Sequence, residues 1–82
     1  MNKEFETEDL NLAAALDTMG VKIVKFEHSS GNRFKFVFDG SKEVSKMVDD
    51  YWNGSLLIDA RKFALNLRSL KYRIHSNDSS NL

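Results

Sequence analysis

The chain has 82 residues and a formal net charge of zero; 41% of the residues are hydrophobic, 29% are charged, and Cys and Pro are absent. This length and ordinary apolar content indicate one compact domain and argue against disorder throughout. The lack of Cys excludes disulfides and thiolate metal ligands, and no apolar run approaches the roughly 20 residues that span a bilayer. The N-terminus has no apolar signal-peptide core, so we expect a cytoplasmic protein.

The net charge of zero is a cancellation of four blocks of alternating sign. Residues 1–20 carry one Lys against five acids, and residues 39–60 carry two Lys against five acids. Residues 21–38 carry four cations against one acid, and residues 61–82 carry five cations against one acid. Whether these blocks form patches in space depends on the fold.

The first element is predicted to be a short helix. Thr7 can cap it, because a hydroxyl at this position accepts a hydrogen bond from a free backbone N–H of the first turn. Leu12, Leu16 and Met19 recur at helical spacing, and Gly20 is suited to the left-handed conformation that ends a helix.

A β-hairpin is predicted next. Residues 21–27 are rich in Val, Ile and Phe, although the adjacent Ile23 and Val24 require either a bulge or burial of both faces. The segment Ser29-Ser30-Gly31-Asn32 has turn composition. Residues 33–39 alternate strictly and place three Phe on one face, namely Phe34, Phe36 and Phe38.

The second half begins with a helix for which Asp39-Gly40-Ser41 offers an N-cap and which Asn53-Gly54 can end, with apolar residues at Val44, Met47, Val48 and Tyr51. Residues 56–58 predict either a short buried strand or an extended linker. Asp59 can cap a last helix from Ala60 to about Ile74.

The element order is therefore α-β-β-α-β-α, an α+β domain with a small three-stranded antiparallel sheet packed with helices on the face of the three Phe residues. Its compact part is predicted to be residues 1–74. Residues 75–82 are rich in Ser and Asn and are predicted to be a disordered tail.

No catalytic or metal-binding pattern is present. His28 and His75 have no second His or Cys at a ligand spacing, and the four Gly residues form no phosphate-binding loop. Asp49 and Asp50 point about 100° apart on a helix, so they are better interpreted as a solvated pair than as paired catalytic acids. We expect neither an enzyme nor a cofactor.

The last helix carries two stripes. Phe63, Leu67, Leu70 and Ile74 form a core stripe, and a second line comprises Arg61, Leu65, Arg68 and Tyr72, all within about 60° of one another. Arginine binds phosphate bidentately and Tyr can stack on a base, so this stripe favours nucleic-acid binding. Arg33, Lys35 and one of Lys22 or Lys25 could add a basic sheet face.

Other interpretations of the second stripe remain open. Basic residues on a solvent-facing helix are common in small domains, and Leu65 and Tyr72 could instead pack under the first helix or in a homodimer. A separate candidate is a protein interface at Trp52 with Asp49 and Asp50, because exposed Trp residues are typical of binding hot spots. Structural packing of Trp52 is the simpler alternative.

Several segments together resemble a known family. They are Phe5 to Leu10, Leu12 to Ala14, Arg33 to Phe38, Tyr51-Trp52-Asn53-Gly54 and Leu67 to Ile74. Over residues 5–74 the chain resembles a small family of uncharacterised proteins of bacteria and their phages, a domain of unknown function. The resemblance implies a stand-alone cytoplasmic protein encoded by a phage or other mobile element, and it carries over no functional residue.

Two hypotheses follow. The first is a non-catalytic protein that binds nucleic acid through the basic helix. The second is a protein-interaction module, such as a phage-encoded inhibitor or adaptor of a host or mobile-element protein, because acidic blocks would repel nucleic acid and attract a basic surface. A membrane partner is not expected, and a homodimer is compatible with both.

Overall fold

The computed structural model describes residues 3–31 and 33–79, with side chains described as far as Ser76. Its elements are β1 (Glu4–Thr7), α1 (Leu10–Thr18), β2 (Ile23–Ser30), β3 (Arg33–Asp39), α2 (Lys42–Asn53) and α3 (Ala60–Ser79). The α+β class and the three-stranded antiparallel sheet are confirmed. The predicted order was wrong in two places, because the chain runs β-α-β-β-α-α: it begins with a strand and has none between its last two helices.

The sheet consists of the predicted hairpin, β2 and β3, and of β1, which the sequence prediction missed. Strand β1 pairs with β3 so that Phe5 lies opposite Phe38 and Thr7 opposite Phe36. The alternative strand at residues 56–58 is not a strand, and the extended-linker interpretation of that segment is the correct one. Four residues are too few to establish a period, whereas pairing with a hydrophobic central strand holds them in place.

The helix cap assigned to Thr7 was also wrong by two residues. Asp9 is the N-cap of α1, and its Oδ1 accepts a hydrogen bond from the Leu12 N–H at 3.0 Å. Thr7 ends β1, and its Oγ1 accepts a hydrogen bond from the Asp9 N–H at 3.0 Å. The side chains of Thr7 and Asp9 therefore accept successive backbone hydrogen bonds where the chain passes from β1 to α1.

The sheet has the order β1-β3-β2. Both outer strands are antiparallel to β3 and hence parallel to each other, so β1-α1-β2 is a crossover unit with β3 inserted between its strands. The register of β2 shifts between Ile23 and Lys25, which is the bulge that the adjacent Ile23 and Val24 required. Asn32, part of the predicted turn, lies outside the described residues.

The core lies between one face of the sheet and the helices. The middle of α1, Leu12 to Leu16, is buried because it packs between the sheet and the other helices. Both α2 and α3 pack against α1, and Val44 and Leu70 join Phe36 and Phe38 in one cluster. The predicted apolar stripes of α2 and α3 are thus confirmed as core.

The remaining helix ends follow the predicted signals, except at the C-terminus. Ser41 and Asp59 accept hydrogen bonds from the backbone N–H groups of Val44 and Lys62, at 3.3 Å and 2.9 Å. Gly54 ends α2 in the left-handed conformation, with φ 74°. By contrast, α3 continues to Ser79, because no Gly or Pro follows Ile74 to stop it. The predicted tail at 75–82 is thus helical to Ser79, and residues 80–82 lie outside the described residues.

Candidate nucleic-acid interface

The second stripe of α3 faces the solvent. The helix has 20 residues and is about 30 Å long, and it packs on α1 through its Leu70 side. On the opposite side Arg61 and Arg68 are exposed, and Leu65 and Tyr72 keep 53% and 73% of their surface accessible. Leu65 and Tyr72 therefore do not pack under α1, which removes one of the structural explanations of the stripe.

The charged residues of α3 before its last turn are all cationic. From Ala60 to Ser76 the helix carries five cations and no acid, namely Arg61, Lys62, Arg68, Lys71 and Arg73. The ion pairs that the structure describes involve the sheet and α2, and none of them involves α3. The exposed side of α3 is therefore a concentrated positive surface on an electroneutral chain.

Arg73 is exposed like the other cations of α3, but it differs from them because it contacts the sheet. Its guanidinium carbon lies 4.9 Å from the centroid of the Phe26 ring, a cation–π arrangement. On the same side of the helix, Asn66 Nδ2 donates a hydrogen bond to Thr18 Oγ1 at 3.0 Å. Both contacts lie on the flank of α3 beside its core stripe, so they add to the apolar packing that orients the helix.

Asp17 lies on the α1 side of this contact. Burial raises the pKa of the Asp17 carboxyl, and the Arg73 guanidinium lowers that pKa by a smaller amount. The net increase means that the ionised carboxylate is less favourable in the folded protein than in the unfolded chain. This contribution weakens stability as the pH rises through the folded pKa, and it vanishes below the unfolded value near 3.8.

We expect Asp17→Asn to be more stable relative to the natural chain at pH 7 than at pH 3, because Asn cannot ionise. Urea unfolding at pH 3, 5 and 7 measures the difference in free energy of unfolding between the two proteins. A difference that moves the opposite way with pH would show that the attraction of Arg73 outweighs the cost of burying Asp17.

Arg33 and Lys35 lie on a different surface from the α3 stripe. They occupy the face of β3 opposite the three Phe residues, hence opposite the helix layer. Arg33 Nη1 lies 3.5 Å from Glu8 Oε1, and Lys35 Nζ lies 3.4 Å from Glu6 Oε1. The structure therefore does not join this sheet face to α3, and acids alternate with its cations.

The charged sheet face has a structural role that the alternation pattern concealed. Val37 lies on this face between Lys35 and Asp39, its nearest same-face neighbours in β3, yet it is only 1% exposed. Its cross-strand partners are Glu6 and Lys25, residue types whose aliphatic stems can cover an apolar neighbour while the charged ends stay in solvent. Val37 thus gives this charged face a buried apolar position.

Trp52 is exposed at the end of α2. It keeps 62% of its surface accessible, and its ring meets that of the half-buried Tyr51 edge-on at 4.9 Å between centroids. Asp49 is exposed, whereas Asp50 is half-buried, pairs with Lys46 and accepts a hydrogen bond from Ser55. Leu57, which a buried strand would have enclosed, is 89% exposed in the linker to α3.

A shallow groove of about 330 Å³ runs beside the stripe, lined by Phe63, Ala64, Leu67, Arg68 and Lys71. All five belong to α3, so this flank of the helix is uncovered, and Lys71 extends the positive surface into it. Lys71 lies outside the predicted stripe because it is about 60° from Arg68 around the helix axis. Among the described side chains no group of three His, Asp or Glu could hold a metal ion, and no buried polar atom lacks a hydrogen-bond partner.

Comparison with known proteins gives one match. A family model described as "Domain of unknown function (DUF5659)" matches residues 2–76. No curated protein and no solved structure gave a significant match. Within the described part of the chain, no helix combines the length and apolar character needed to cross a membrane.

Proposed function

We propose that this chain, which belongs to the DUF5659 family, binds nucleic acid through the outward side of α3 and carries out no catalysis itself. The observation that carries the proposal is the exposed run of Arg61, Lys62, Arg68 and Lys71 on a helix without acids between residues 60 and 76. Phosphate contacts by such cations supply most of the affinity in non-specific nucleic-acid binding.

The surrounding charges would orient the bound molecule. The ion pairs of Arg33 and Lys35 with Glu8 and Glu6 leave the sheet face with no concentrated positive surface. Phosphates are therefore attracted to α3 and not to the opposite layer. Exposed Tyr72 adds a flat face between the cations, which suits contact with a base or sugar.

The first test removes two cations from the stripe. We expect Arg61→Ala with Arg68→Ala to lower affinity for short DNA or RNA and to flatten the salt dependence, because each lost phosphate contact releases about one counterion fewer. Fluorescence anisotropy of labelled oligonucleotides, measured across a range of salt concentrations, gives both the dissociation constant and the slope.

A matched control carries the same change of charge on the opposite layer. Arg33→Ala with Lys35→Ala also removes two cations, but from side chains paired with Glu8 and Glu6. This control should keep the slope of the natural chain. Equal losses in the two double variants would show that overall charge and not α3 governs binding, and no binding at low salt would refute the proposal.

A second candidate function is protein binding, favoured by exposed Trp52 and Asp49 near the end of α2 and by exposed Leu57 in the linker that follows. This arrangement suits a partner with an apolar contact and a basic rim. Trp52 is the only Trp of the chain, so its emission separates the candidates within the same titrations. A partner that covers Trp52 shifts the emission to shorter wavelength, whereas nucleic acid on α3 leaves the emission wavelength unchanged.

The cellular setting belongs to this proposal as well. The resemblance to proteins of bacteria and phages supports a cytoplasmic accessory protein of a phage or other mobile element. In that setting the partner would be phage or host nucleic acid, or, for the second candidate, a host protein.

A further inference from the structure

We infer that the ligand of α3 is duplex DNA and that the outward side of the helix enters the major groove; this inference rests on the proposed function. It comes from the distribution of side chains around the axis of α3. The core residues Phe63, Leu67, Leu70 and Ile74 point in one direction, which the contacts of the helix confirm. The side chains opposite that direction are the first to meet a ligand.

Leu65 and Tyr72 are the side chains of α3 that point most directly away from the core. The line along the helix that they define is called its summit. At 100° per residue, both lie within about 10° of the direction opposite the core stripe. Ser69 and Ser76 lie about 30–50° to one side of the summit, with Lys62 beyond them. Arg61 and Arg68 lie about 30–50° to the other side, with Lys71 beyond them. The summit is thus apolar and hydroxylic, and cations stand on both flanks.

This distribution matches the cross-section of a major groove. Base edges form the floor, where hydroxyl groups can hydrogen-bond and an aliphatic side chain can contact a thymine methyl group. Phosphates line both walls, within reach of cations on the flanks. Leu65 and Tyr72 would face the floor, Arg61 and Arg68 one wall, and Lys62 the other.

The dimensions also fit. An α-helix with its side chains is about 10–12 Å across, and the major groove of B-DNA is about 12 Å wide. Arg61 to Ser76 covers about 22 Å of helix axis. Leu65 and Tyr72 are exposed on the side of α3 opposite its packed stripe, so the rest of the domain lies behind the helix.

Single strands and RNA duplexes fit less well. Proteins that bind single strands stack successive bases on aromatic rings along a positive groove, whereas the summit of α3 is convex and has one aromatic ring, Tyr72. Trp52, the exposed Trp, lies on α2. The major groove of A-form RNA is too deep and narrow for side chains to read. Duplex DNA is the ligand that the geometry selects.

The test compares three labelled ligands at equal salt: a DNA duplex of about 20 base pairs, one of its single strands, and the RNA duplex of the same sequence. We expect the DNA duplex to bind at least about tenfold more tightly than either of the others. Methyl green, which occupies the major groove, should displace the protein, and netropsin, which occupies the minor groove, should not.

A charge at the summit should block entry into the groove. We expect Leu65→Glu to weaken duplex binding at least about tenfold, because a carboxylate would be driven against the negative floor and walls of the groove. The control is Leu57→Glu, which makes the same substitution at a side chain that is 89% exposed outside α3. It should leave affinity within about twofold of the natural chain.

The possible results separate binding of duplex DNA in the major groove from the more general proposal that α3 binds nucleic acid. The single strand or the RNA duplex could bind as tightly as the DNA duplex or more tightly, with binding still dependent on Arg61 and Arg68. That result overturns the inference of duplex DNA and leaves the proposed function standing. Displacement by netropsin alone also overturns the major-groove inference. Failure of all three ligands to bind at low salt overturns both.

Discussion

Phe38→Ala should remove about 3–5 kcal/mol from the free energy of unfolding, which is most of what a domain of this size has. Phe38 is fully buried on the central strand, and it lies opposite Phe5 on one side and Ile23 on the other. Truncation to Ala leaves a cavity where both outer strands and the helix layer meet. Such a site cannot collapse without moving several elements at once.

Urea unfolding followed by far-UV circular dichroism measures this loss. The control is Leu57→Ala, an apolar truncation at a side chain that is 89% exposed, which should change stability by less than about 0.5 kcal/mol. A loss of under about 1 kcal/mol for Phe38→Ala would contradict the packing described here.

Gly40→Ala should detach β1 from the sheet and cost about 1–3 kcal/mol. A Cβ at Gly40 would lie 2.9 Å from the carbonyl oxygen of Lys3 and 3.1 Å from backbone atoms of Glu4 and Phe5. The N–H of Gly40 also donates a hydrogen bond to that same Lys3 oxygen, at 2.6 Å. Since the obstructing atoms belong to the backbone, β1 has to move away from β3.

Amide hydrogen exchange locates this effect, because protection should be lost in β1 and kept in β2. The control is Gly31→Ala, where the φ of +54° makes Ala unfavourable but nothing lies within 4 Å of the added Cβ. That variant should lose stability without losing protection in β1. Unchanged protection of β1 in Gly40→Ala would contradict the close approach.

The conformation of the hairpin and of the helix ends was readable from local residues. Phe34, Phe36 and Phe38 alternate along one strand, and this alternation correctly identified both the strand and its buried face. Ser41 and Gly54 cap α2 within the two segments that predicted its ends, Asp39-Gly40-Ser41 and Asn53-Gly54, because capping depends on a few neighbouring atoms. Local chemistry decides such features, whatever the rest of the chain does.

Features that depend on pairing across the chain were missed. β1 has four residues and becomes a strand through its register with Phe36, Val37 and Phe38, more than 25 positions later. The alternation of β3 places Val37 on the polar face with Lys35 and Asp39, yet it is buried on the central strand between β1 and β2. No local pattern contains this information.

One part of the candidate site could be predicted from the sequence, and the other part depended on the tertiary structure. Both stripes of α3 follow from the sequence, because a helix turns by 100° per residue and the assignment of one side to the core leaves the other exposed. Whether Arg33 and Lys35 joined that surface was decided by the tertiary structure alone. The register of the sheet places them on the layer opposite α3 and beside Glu8 and Glu6, since alternate residues of a strand face opposite sides.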